Sequence, residues 1–562
     1  MTFQLSAGVN FSEIDLTGIV PAVGTTTGAM VGSFAWGPID EIRTITNEIE
    51  LVDIYGKPDA NTFVDFFTGS NFLGYGRDLR VVRANASSTM KNATSNAVGR
   101  LIKNRTDYEE NHKGSNTALW AAKYAGELGN SLKVAIYSGS NTANFSSWAY
   151  SSIFDSAPNT STYVANQNGR NDEMHIAIID EGGKFSGTAN TVLERFAYVS
   201  KASDAKRDDG SSSYFVNVIN DSSKYIWWMS HPNNNAENWG ATSANTTFGG
   251  QLNIANSVIL SGGSYNVSTS AEIINGYDKF KNAEEVDISL ILTSGHGANV
   301  VSHIADNIAE FRRDAVFFAS PSRANCVNKP DNTDTANAIV TERNFMTSTS
   351  YGVMDSGWKY QFDKYNNVYR WVPLNGDIAG LCVRTDYDRD PWFSPAGLNR
   401  GIIKNAIKLA WNPNKTNRDI LYKNGINPVI TLPGQGTVLY GDKTLLSKPS
   451  AFDRINVRRL FIVLEKAIVK ASQYSLFEFN DTFTRSQFVS LVEPYLRDVQ
   501  GRRGIFDFRV VCNETNNTPE VIDRNEFIGD IYIKPARSIN FIQLNFVAAR
   551  TGVSFDEIVG RF

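Results

Sequence analysis

The stretch FDRINVRRLFIVLEKAIVKAS at residues 452–472 decides the fold, because it predicts a helix with apolar surface on two sides. Asp453 is in position to cap the helix N-terminus, and Phe452 can pack against Val457. The wide apolar face consists of Val457, Leu460, Phe461, Leu464, Ala467, Ile468 and Ala471. The opposite side carries Arg454, Arg458, Arg459, Lys466 and Lys470, with Ile455, Ile462 and Val469 stacked between them. This pattern predicts either contact with two partners or one domain that covers both apolar sides.

The rest of this block, up to residue 550, predicts a second helix and three strands. The capping box Thr484-Arg-Ser-Gln487 begins the helix, Pro494 is expected to kink it, and Gly501 and Gly504 end it. Its apolar side carries Phe488, Leu491, Val492, Tyr495, Leu496 and Val499. Strands are expected at 505–512, 527–534 and 539–548. Two helices on a small sheet therefore predict a compact unit around which the remaining chain is arranged.

Composition narrows the class of protein. The 562 residues are enough for several domains, and 42% hydrophobic with 20% charged residues is typical of a globular protein. The net charge of -4 argues against a dedicated nucleic-acid-binding protein. No apolar run predicts a membrane span, and the first residues lack the pattern of a secretory signal. The three separated cysteines, Cys326, Cys382 and Cys512, predict reduced core residues of a protein made in cytoplasm.

The N-terminal residues 3–11 alternate perfectly between apolar and polar side chains. Phe3, Leu5, Ala7, Val9 and Phe11 lie on one side, which predicts a half-buried strand. No hairpin partner follows directly, so this strand is expected to pair with another chain by strand addition. Residues 29–84 then predict a small α/β unit, with a strand at 29–36, helices at 48–55 and 62–73, and a strand at 78–84.

Residues 85–337 are rich in Asn, Ser, Thr and Gly and predict insertions held away from the organising block. Strands are expected at 133–137, 173–180, 214–219 and 225–229. Residues 286–320 predict a strand, a helix and a second strand, which is a βαβ crossover within the inserted region. From residue 338 the pattern becomes denser again, with a hairpin at 358–372 and a helix at about 376–386.

Two motifs resemble catalytic or nucleotide-binding sites, and we decline both. The stretch from Gly436 to Thr444 is a phosphate-binding loop with one extra residue, but Asp442 adds a negative charge and no long helix can follow. Between a strand and a helix, Gly295-His296-Gly297 lacks the third glycine of a dinucleotide site. Ser294, His296, His303 and Asp306 suggest a nucleophile but lack the Gly-x-Ser-x-Gly elbow. We therefore expect no enzyme activity, catalytic residue, metal or cofactor; the alternative is a hydrolase that uses the 295–306 region.

Several stretches together carry a family resemblance. They are FAWGP, LVDIYGKP and NFLGYGRDLRVVRA near the start, and later KYQFDKYNNVYRWVPL, DIAGLC, SPAGLNRG, LYGDKT, FDRINVRRLF, VIDRNEF and YIKPARSINFIQLNFVA. The chain resembles the contractile tail sheath proteins of myovirus-type bacteriophages, especially the T-even-like members. The likeness covers the first hundred residues and essentially everything after Tyr351. The middle of the chain is less diagnostic.

The resemblance implies a structural function. Sheath subunits of this family form stacked six-fold rings, a helical polymer around the inner tail tube, which contracts from a metastable state and drives the tube through the host envelope. Implied partners are other copies of the chain, the tube protein, and baseplate and neck proteins, with no direct nucleic acid and no membrane span. The implied location is the virion, as a phage tail sheath made in the host cytoplasm. Host-receptor binding by the Asn/Ser-rich exterior could coexist with this function.

The resemblance also implies a multidomain α+β fold with a compact α/β core made from both chain ends. The expected division is 1–20 for an N-terminal arm, 21–90 and 341–535 for the core, 91–340 for inserted outer β-rich and α/β domains, and 536–562 for a C-terminal arm. Both arms are expected to donate strands to neighbouring subunits. The implied strand-donating residues are Phe3, Leu5, Val9 and Phe11, and Ile542, Leu544 and Phe546. The tube-facing candidates are Arg454, Arg458, Arg459, Lys466 and Lys470.

Overall fold

A computed structural model describes residues 23–86, 89–138, 142–231, 237–249, 257–540 and 543. They fall into two units that divide between Phe477 and Glu478. The strands are β1 (Gly28–Gly32), β2 (Ile42–Ile45), β3 (Leu79–Arg83), β4 (Trp120–Ala122), β5 (Leu132–Tyr137), β6 (Glu173–Asp180), β7 (Thr191–Ser200), β8 (Ile226–Trp228), β9 (Ser257–Ile259), β10 (Leu290–Leu292), β11 (Val316–Ala319), β12 (Gly352–Asp355), β13 (Trp358–Asp363), β14 (Val368–Pro373), β15 (Lys408–Leu409), β16 (Ile426–Asn427), β17 (Val429–Leu432), β18 (Gly436–Leu439), β19 (Ile505–Val511) and β20 (Asp530–Pro535).

The α-helices are α1 (Glu48–Tyr55), α2 (Phe63–Leu73), α3 (Arg105–Asn111), α4 (Thr142–Phe145), α5 (Thr162–Asn166), α6 (Phe215–Ser222), α7 (Ser270–Tyr277), α8 (Ala298–His303), α9 (Glu310–Arg312), α10 (Arg323–Cys326), α11 (Asn332–Asn344), α12 (Asn375–Asp388), α13 (Lys415–Lys423), α14 (Ile455–Ser472), α15 (Thr482–Gly501) and α16 (Pro519–Asp523). A π-helical segment, Ile304–Ala309, joins α8 to α9. None of the described helices is both long and apolar enough to cross a membrane.

A seven-stranded sheet in the order β16-β12-β11-β10-β1-β3-β2 forms the core of unit 1. All its strands are parallel except β2, which pairs antiparallel to β3. The two faces are covered by different helices, as alternate residues of β1 show. A Cβ on Gly69 of α2 would meet the Met30 side chain, whereas a Cβ on Gly276 of α7 would meet Val31. Helices on both sides explain why β1, β10 and β11 are buried along their whole length rather than at alternate residues.

The central sheet corrects one placement made from the sequence. The sequence assigns the βαβ unit at 286–320 to the inserted region, but β10 pairs with β1 and β11 with β10 in the core. A short, uniformly buried strand has no alternation that would distinguish a central sheet from an inserted one. The remaining domain limits stay predictions.

Residues 89–264 contain a separate antiparallel sheet in the order β7-β6-β5-β9 and a two-stranded sheet of β4 and β8. Their hydrophobic core includes Trp120, Trp228 and Trp239. The predicted strand at 214–219 is wrong, because these residues begin helix α6. Phe215, Val218 and Ile219 are buried at helical spacing, so the apolar run reflects a buried helix face. The strands predicted at 133–137, 173–180 and 225–229 are confirmed as β5, β6 and β8.

A buried polar network lies at the carboxyl edge of the central sheet. Ser294 lies just after β10, and its hydroxyl donates to the Asp65 carboxylate of α2. The Asn375 side-chain amide donates to the Ser294 backbone carbonyl at 2.7 Å. Asn375 also donates to Ser320 Oγ, and that hydroxyl donates to Asp355 Oδ2 at 2.6 Å. Ligands of open α/β sheets usually bind at this edge. Here the first residues of α12 and their partners occupy it.

The hairpin of β13 and β14 forms a three-stranded sheet with β15 in the order β14-β13-β15. Its inward side chains are polar, since Lys359, Gln361 and Asp363 are all buried. Its outward side carries Tyr360 and Phe362 of β13 and, in cross-strand register, Trp371 and Tyr369 of β14. We call these four side chains the aromatic face.

Unit 2 is small, and it contains only one of the two long helices predicted for it. Helix α15 packs on the antiparallel pair β19–β20, whereas α14 belongs to unit 1. Asp481 caps α15 by accepting a bond from the Thr484 backbone at 2.8 Å, so the capping box predicted at Thr484 is wrong. Helix α15 continues through Pro494.

The start of α14 also differs from the prediction. Asp453 lies in the short turn Ala451–Asp453, capped by Ser450, and Arg454 occupies the N-cap position, where its side chain makes no capping bond to the helix backbone. The prediction that Asp453 caps this helix is therefore wrong. The Phe452 ring packs against the Phe461 ring, with centroids 4.8 Å apart, and its predicted contact with Val457 stays a prediction.

Candidate subunit-interaction site

The sheet of unit 2 has two strands among the described residues. Its side chains Phe508, Val510, Ile531 and Ile533 lie on one face, and all four are only half-buried. Within the described part of the chain, β19 and β20 pair only with each other. A two-stranded sheet is marginally stable alone, and its edges present unpaired N–H and C=O groups to a further strand. This arrangement suits strand addition from another segment or subunit.

The predicted strand-donating residues lie outside the described residues. They are Phe3, Leu5, Val9 and Phe11 near the N-terminus, and Ile542, Leu544 and Phe546 near the C-terminus. Their role stays a prediction, and the open edges of β19 and β20 are the acceptor that the structure offers.

Two of the five tube-facing candidates on α14 are buried inside unit 1. Arg459 forms a two-point ion pair with Asp386 of α12, with N–O distances of 2.8 and 2.6 Å. Burial alone lowers the pKa of Arg459, but the carboxylate outweighs it and the net pKa is raised. Arg458 lies over the Tyr351 and Phe452 rings at 4.3 and 4.0 Å, and burial lowers its pKa. The prediction that both form an exposed cationic face is wrong.

The other three candidates differ in exposure. Arg454 is half-buried and lies 3.3 Å from Asp442. Lys466 is half-buried and pairs with Asp287 at 2.9 Å. Lys470, near the end of α14, is exposed.

Unit 1 itself covers most of the second apolar stripe on α14. Ile455 and Ile462 are buried, whereas Val469 is 62% exposed. Of the two alternatives that the sequence leaves open, a single domain covering both sides is confirmed for the first half of the helix. Only the C-terminal end keeps an exposed apolar position next to a cation.

In the region that the hydrolase alternative uses, the Ser294 hydroxyl donates to a carboxylate. Ser294 is buried with φ of 53°, and its Oγ donates to the Asp65 carboxylate rather than to a histidine. His296 Nε2 lies 3.1 Å from the Val31 carbonyl. His303 instead contacts Asp278 at 2.8 Å, and Asp306 is exposed on the π-helical segment. A nucleophile needs its base within hydrogen-bond reach, and these residues lack that arrangement.

The loop from Gly436 to Thr444 has no helix to complete a phosphate site. Gly436 begins β18, which pairs antiparallel with β17. Lys443 Nζ donates to the Tyr422 carbonyl at 2.8 Å, and Thr444 Oγ1 donates to the Phe452 carbonyl at 2.9 Å. Phosphate loops need these two groups directed at the ligand. Among the described residues, no cluster of three His, Cys, Asp or Glu side chains could hold a metal ion.

Two features of the structure were not predicted from the sequence. The network that links Asp65, Ser294 and Asn375 joins residues separated by more than two hundred positions, so no local pattern predicts it. The aromatic face has a partial signal, since residues 358–363 alternate between aromatic and polar side chains. Alternation predicts two distinct faces but leaves open which one points inward.

Comparison with known proteins decides the family. Residues 25–84 match the model of the tail sheath protein Gp18 domain III N-terminal region, 266–445 the phage tail sheath protein central domain, and 447–549 the phage tail sheath C-terminal domain. The tail sheath protein of Vibrio phage KVP40 is 34% identical, covering 99% of this chain and 100% of that protein. The tail sheath protein of Enterobacteria phage T4 is 35% identical, covering 99% of both chains. This chain belongs to the phage tail sheath protein family.

Solved structures show the same fold for this tail sheath family member. The sheath tail protein from Desulfitobacterium hafniense has a TM-score of 0.52 at 12% identity and covers 94% of this chain and 100% of its own. The sheath tail protein Lin1278 from Listeria innocua has a TM-score of 0.52 at 13% identity, with coverage of 92% and 96%. The central-domain match begins at residue 266, which agrees with the position of β10 and β11 in the core sheet.

Proposed function

We propose that this chain is a structural subunit of a contractile phage tail sheath. In this proposal, copies polymerise as stacked six-fold rings around the inner tail tube and contract from a metastable extended state, driving the tube through the host envelope. The full-length similarity to tail sheath proteins carries the proposal. The sheet of unit 2 supports it, because within the described residues β19 and β20 pair only with each other and their outer edges can accept a strand from another subunit.

Strand exchange between copies is the connection that we propose holds the polymer together. Burying Phe3, Leu5, Val9 and Phe11 contributes roughly 6–12 kcal/mol. Ordering about ten backbone residues costs about 10–20 kcal/mol, and ladder hydrogen bonds return roughly 0.5–1.5 kcal/mol each. One arm therefore contributes close to zero net free energy. Assembly then requires several contacts to close together or a tube to act as template, and isolated subunits stay soluble.

The tube, baseplate and neck proteins are the proposed partners besides other copies of the chain. Among the candidate cations, Lys470 is the residue we propose for tube contact, since it is exposed at the end of α14. An exposed charge pair is weak and screened by salt, which lets a contracting sheath release the tube. Lys470→Glu is expected to weaken tube binding at low salt, measured by cosedimentation with tubes. Unchanged binding across salt concentrations contradicts this assignment.

Electron microscopy of the purified chain tests the main proposal. With tail tubes supplied as template, the full chain is expected to form striated sheaths, whereas a chain without residues 1–20 and 536–562 is expected to remain unassembled but folded. All ten tryptophans lie in unit 1, so tryptophan fluorescence confirms that its fold survives. The alternation of residues 3–11 supplies a matched pair of variants. Leu5→Ser with Val9→Ser is expected to block assembly, and Ser6→Ala with Asn10→Ala is expected to leave it intact. Normal tubes from the doubly truncated chain refute strand exchange.

A further inference from the structure

The aromatic face of the hairpin is an exposed apolar surface with internal order. The ring centroids of Tyr360 and Trp371 are 4.7 Å apart, and those of Phe362 and Tyr369 are 5.2 Å apart. Phe362 is 44% exposed and Tyr369 54% exposed. The four rings therefore form one continuous patch across β13 and β14.

The opposite side of the same sheet shows that this exposure is specified by strand register. Lys359 Nζ lies 2.9 Å from the Asp377 carboxylate, Gln361 accepts from Asn71 at 2.9 Å, and Asp363 accepts from Arg370 at 2.8 Å. A shift of one residue would turn the aromatic side chains inward and these polar ones outward. The polar side chains instead have fixed partners in the interior. The observed register therefore keeps four aromatic residues on the outside.

The size of the patch indicates what kind of contact it can make. An aromatic side chain buries about 150–250 Å² when fully covered, so these four partly exposed rings together offer roughly 300 Å². A stable two-protein interface needs about 800 Å² from each partner. The patch is too small for a free dimer but large for a surface that stays in water. It suits one contact among several in a polymer.

Charge identifies the partner. Lys408 Nζ lies 5.0 Å from the Tyr360 ring centroid and 5.6 Å from that of Trp371. Lys408 forms no ion pair within the described ranges, so the aromatic face carries an uncompensated cation. The whole chain has a net charge of -4, and carboxylates such as Glu284 and Glu285 are exposed on its surface. Another copy of the chain is an abundant partner, and its exposed carboxylates complement the positive charge of Lys408.

We propose that the aromatic face is a contact between copies of this chain, covered when subunits assemble, with a carboxylate of the neighbouring copy beside Lys408. This inference rests on the proposed sheath function and adds a surface in unit 1, separate from strand exchange at β19 and β20. Tyr, Trp and Phe side chains are enriched at the buried centre of such contacts.

Oxidative footprinting of the full-length chain, before and after assembly, tests the proposal. Tyr369 is expected to be at least about fivefold less reactive in assembled tubes than in the free chain, because a covered ring loses contact with the oxidant. Tyr387, 61% exposed on unit 1, is the reference residue for general loss of access. Equal reactivity of Tyr369 in both states overturns the contact and leaves the sheath function standing. A wild-type chain that forms no polymer even when tail tubes are supplied as template refutes both.

Zero-length carbodiimide crosslinking identifies the occupant. In tubes assembled from a mixture of normal and nitrogen-15-labelled chains, Lys408 is expected to crosslink to a carboxylate of the other isotope. Crosslinks only within one chain, or only to a tube protein, overturn the assignment to a second copy. As an independent test, Phe362→Ser with Tyr369→Ser is expected to raise the concentration needed for assembly about tenfold. The unfolding midpoint is expected to fall only slightly, because Phe362 and Tyr369 are already 44% and 54% exposed in the single chain.

Discussion

Replacing Arg459 by methionine tests whether α14 is anchored in unit 1 or presents its cations to a partner. The guanidinium makes two charge-assisted bonds to Asp386, and both side chains are about 5% exposed. In Arg459→Met the Asp386 carboxylate remains buried. Among the described residues, the Thr25 hydroxyl, at 2.6 Å, is then the one side chain that donates to it. Removing one partner of a buried ion pair costs about 3–5 kcal/mol of unfolding free energy.

Denaturant unfolding followed by tryptophan fluorescence measures this loss. The ten tryptophans all lie in unit 1, so the signal reports the unit that contains Arg459 and is silent for unit 2. The matched control is Lys470→Met on the same helix, which is expected to change the free energy by less than about 0.5 kcal/mol because Lys470 is exposed. The double variant Arg459→Met with Asp386→Leu is expected to recover most of the loss, since it removes both buried charges.

The reasoning is refuted by an Arg459→Met variant that unfolds at the same denaturant concentration as the unaltered chain. It is also refuted if Lys470→Met is as destabilised as Arg459→Met. Either result would mean that the ion pair with Asp386 contributes nothing to the anchoring of α14 and that Arg459 is free to serve another contact.

Three further predictions concern other parts of the chain. Burial raises the pKa of Asp355 to about 8, well above its value in the unfolded chain. The stability that this shift contributes is fully present below the unfolded pKa and is lost as pH rises through 8. The Tm of the protein should therefore fall between about pH 5 and 8.5, and the Tm of Asp355→Asn should fall less. Gly376→Ala should destabilise unit 1 by about 1–3 kcal/mol despite better helix propensity, because the added carbon would lie 2.4 Å from the Thr68 carbonyl oxygen. Unfolding followed by tryptophan fluorescence measures this loss. The control is Gly24→Ala, whose added carbon would have its nearest neighbour 4.0 Å away. Asp481→Ala should cost unit 2 about 1 kcal/mol through loss of the α15 cap, measured by circular dichroism of helix unfolding, with the exposed Asp498→Ala as control.

The sequence predicted those helices and strands whose ends are set by residues next to them in the chain. Helix α1 was predicted at 48–55, and the structure confirms it, with Asn47 as its N-cap and Gly56 directly after its end. Strands β3, β5 and β6 were likewise predicted from apolar runs between turn residues. The errors arise where tertiary contacts decide. Asp453 has a capping side chain, but Ser450 begins a turn three residues earlier and shifts the helix start.

The candidate site was less predictable than the fold. A helical pattern shows that Arg458 and Arg459 lie opposite the wide apolar face, but it cannot show that Tyr351 and Asp386 come from distant segments to cover them. Charged residues on a helix usually lie in water, so the expectation of an exposed cationic face followed the general rule. The exception depends on contacts that are 73 and 107 residues apart in the chain.

The order of strands in the central sheet has a consequence for synthesis. Strand β1 pairs with β3 on one side and with β10 on the other, and β10 begins 262 residues after β1 (290 minus 28). At ribosomal speeds of about 5–20 residues per second, the nascent chain carries that unpaired edge for roughly 13–50 seconds. Slower elongation lengthens this interval in direct proportion. The hazard on the ribosome is therefore premature pairing between neighbouring nascent chains of one polysome, and crowded translation of this message exposes the chain to it most.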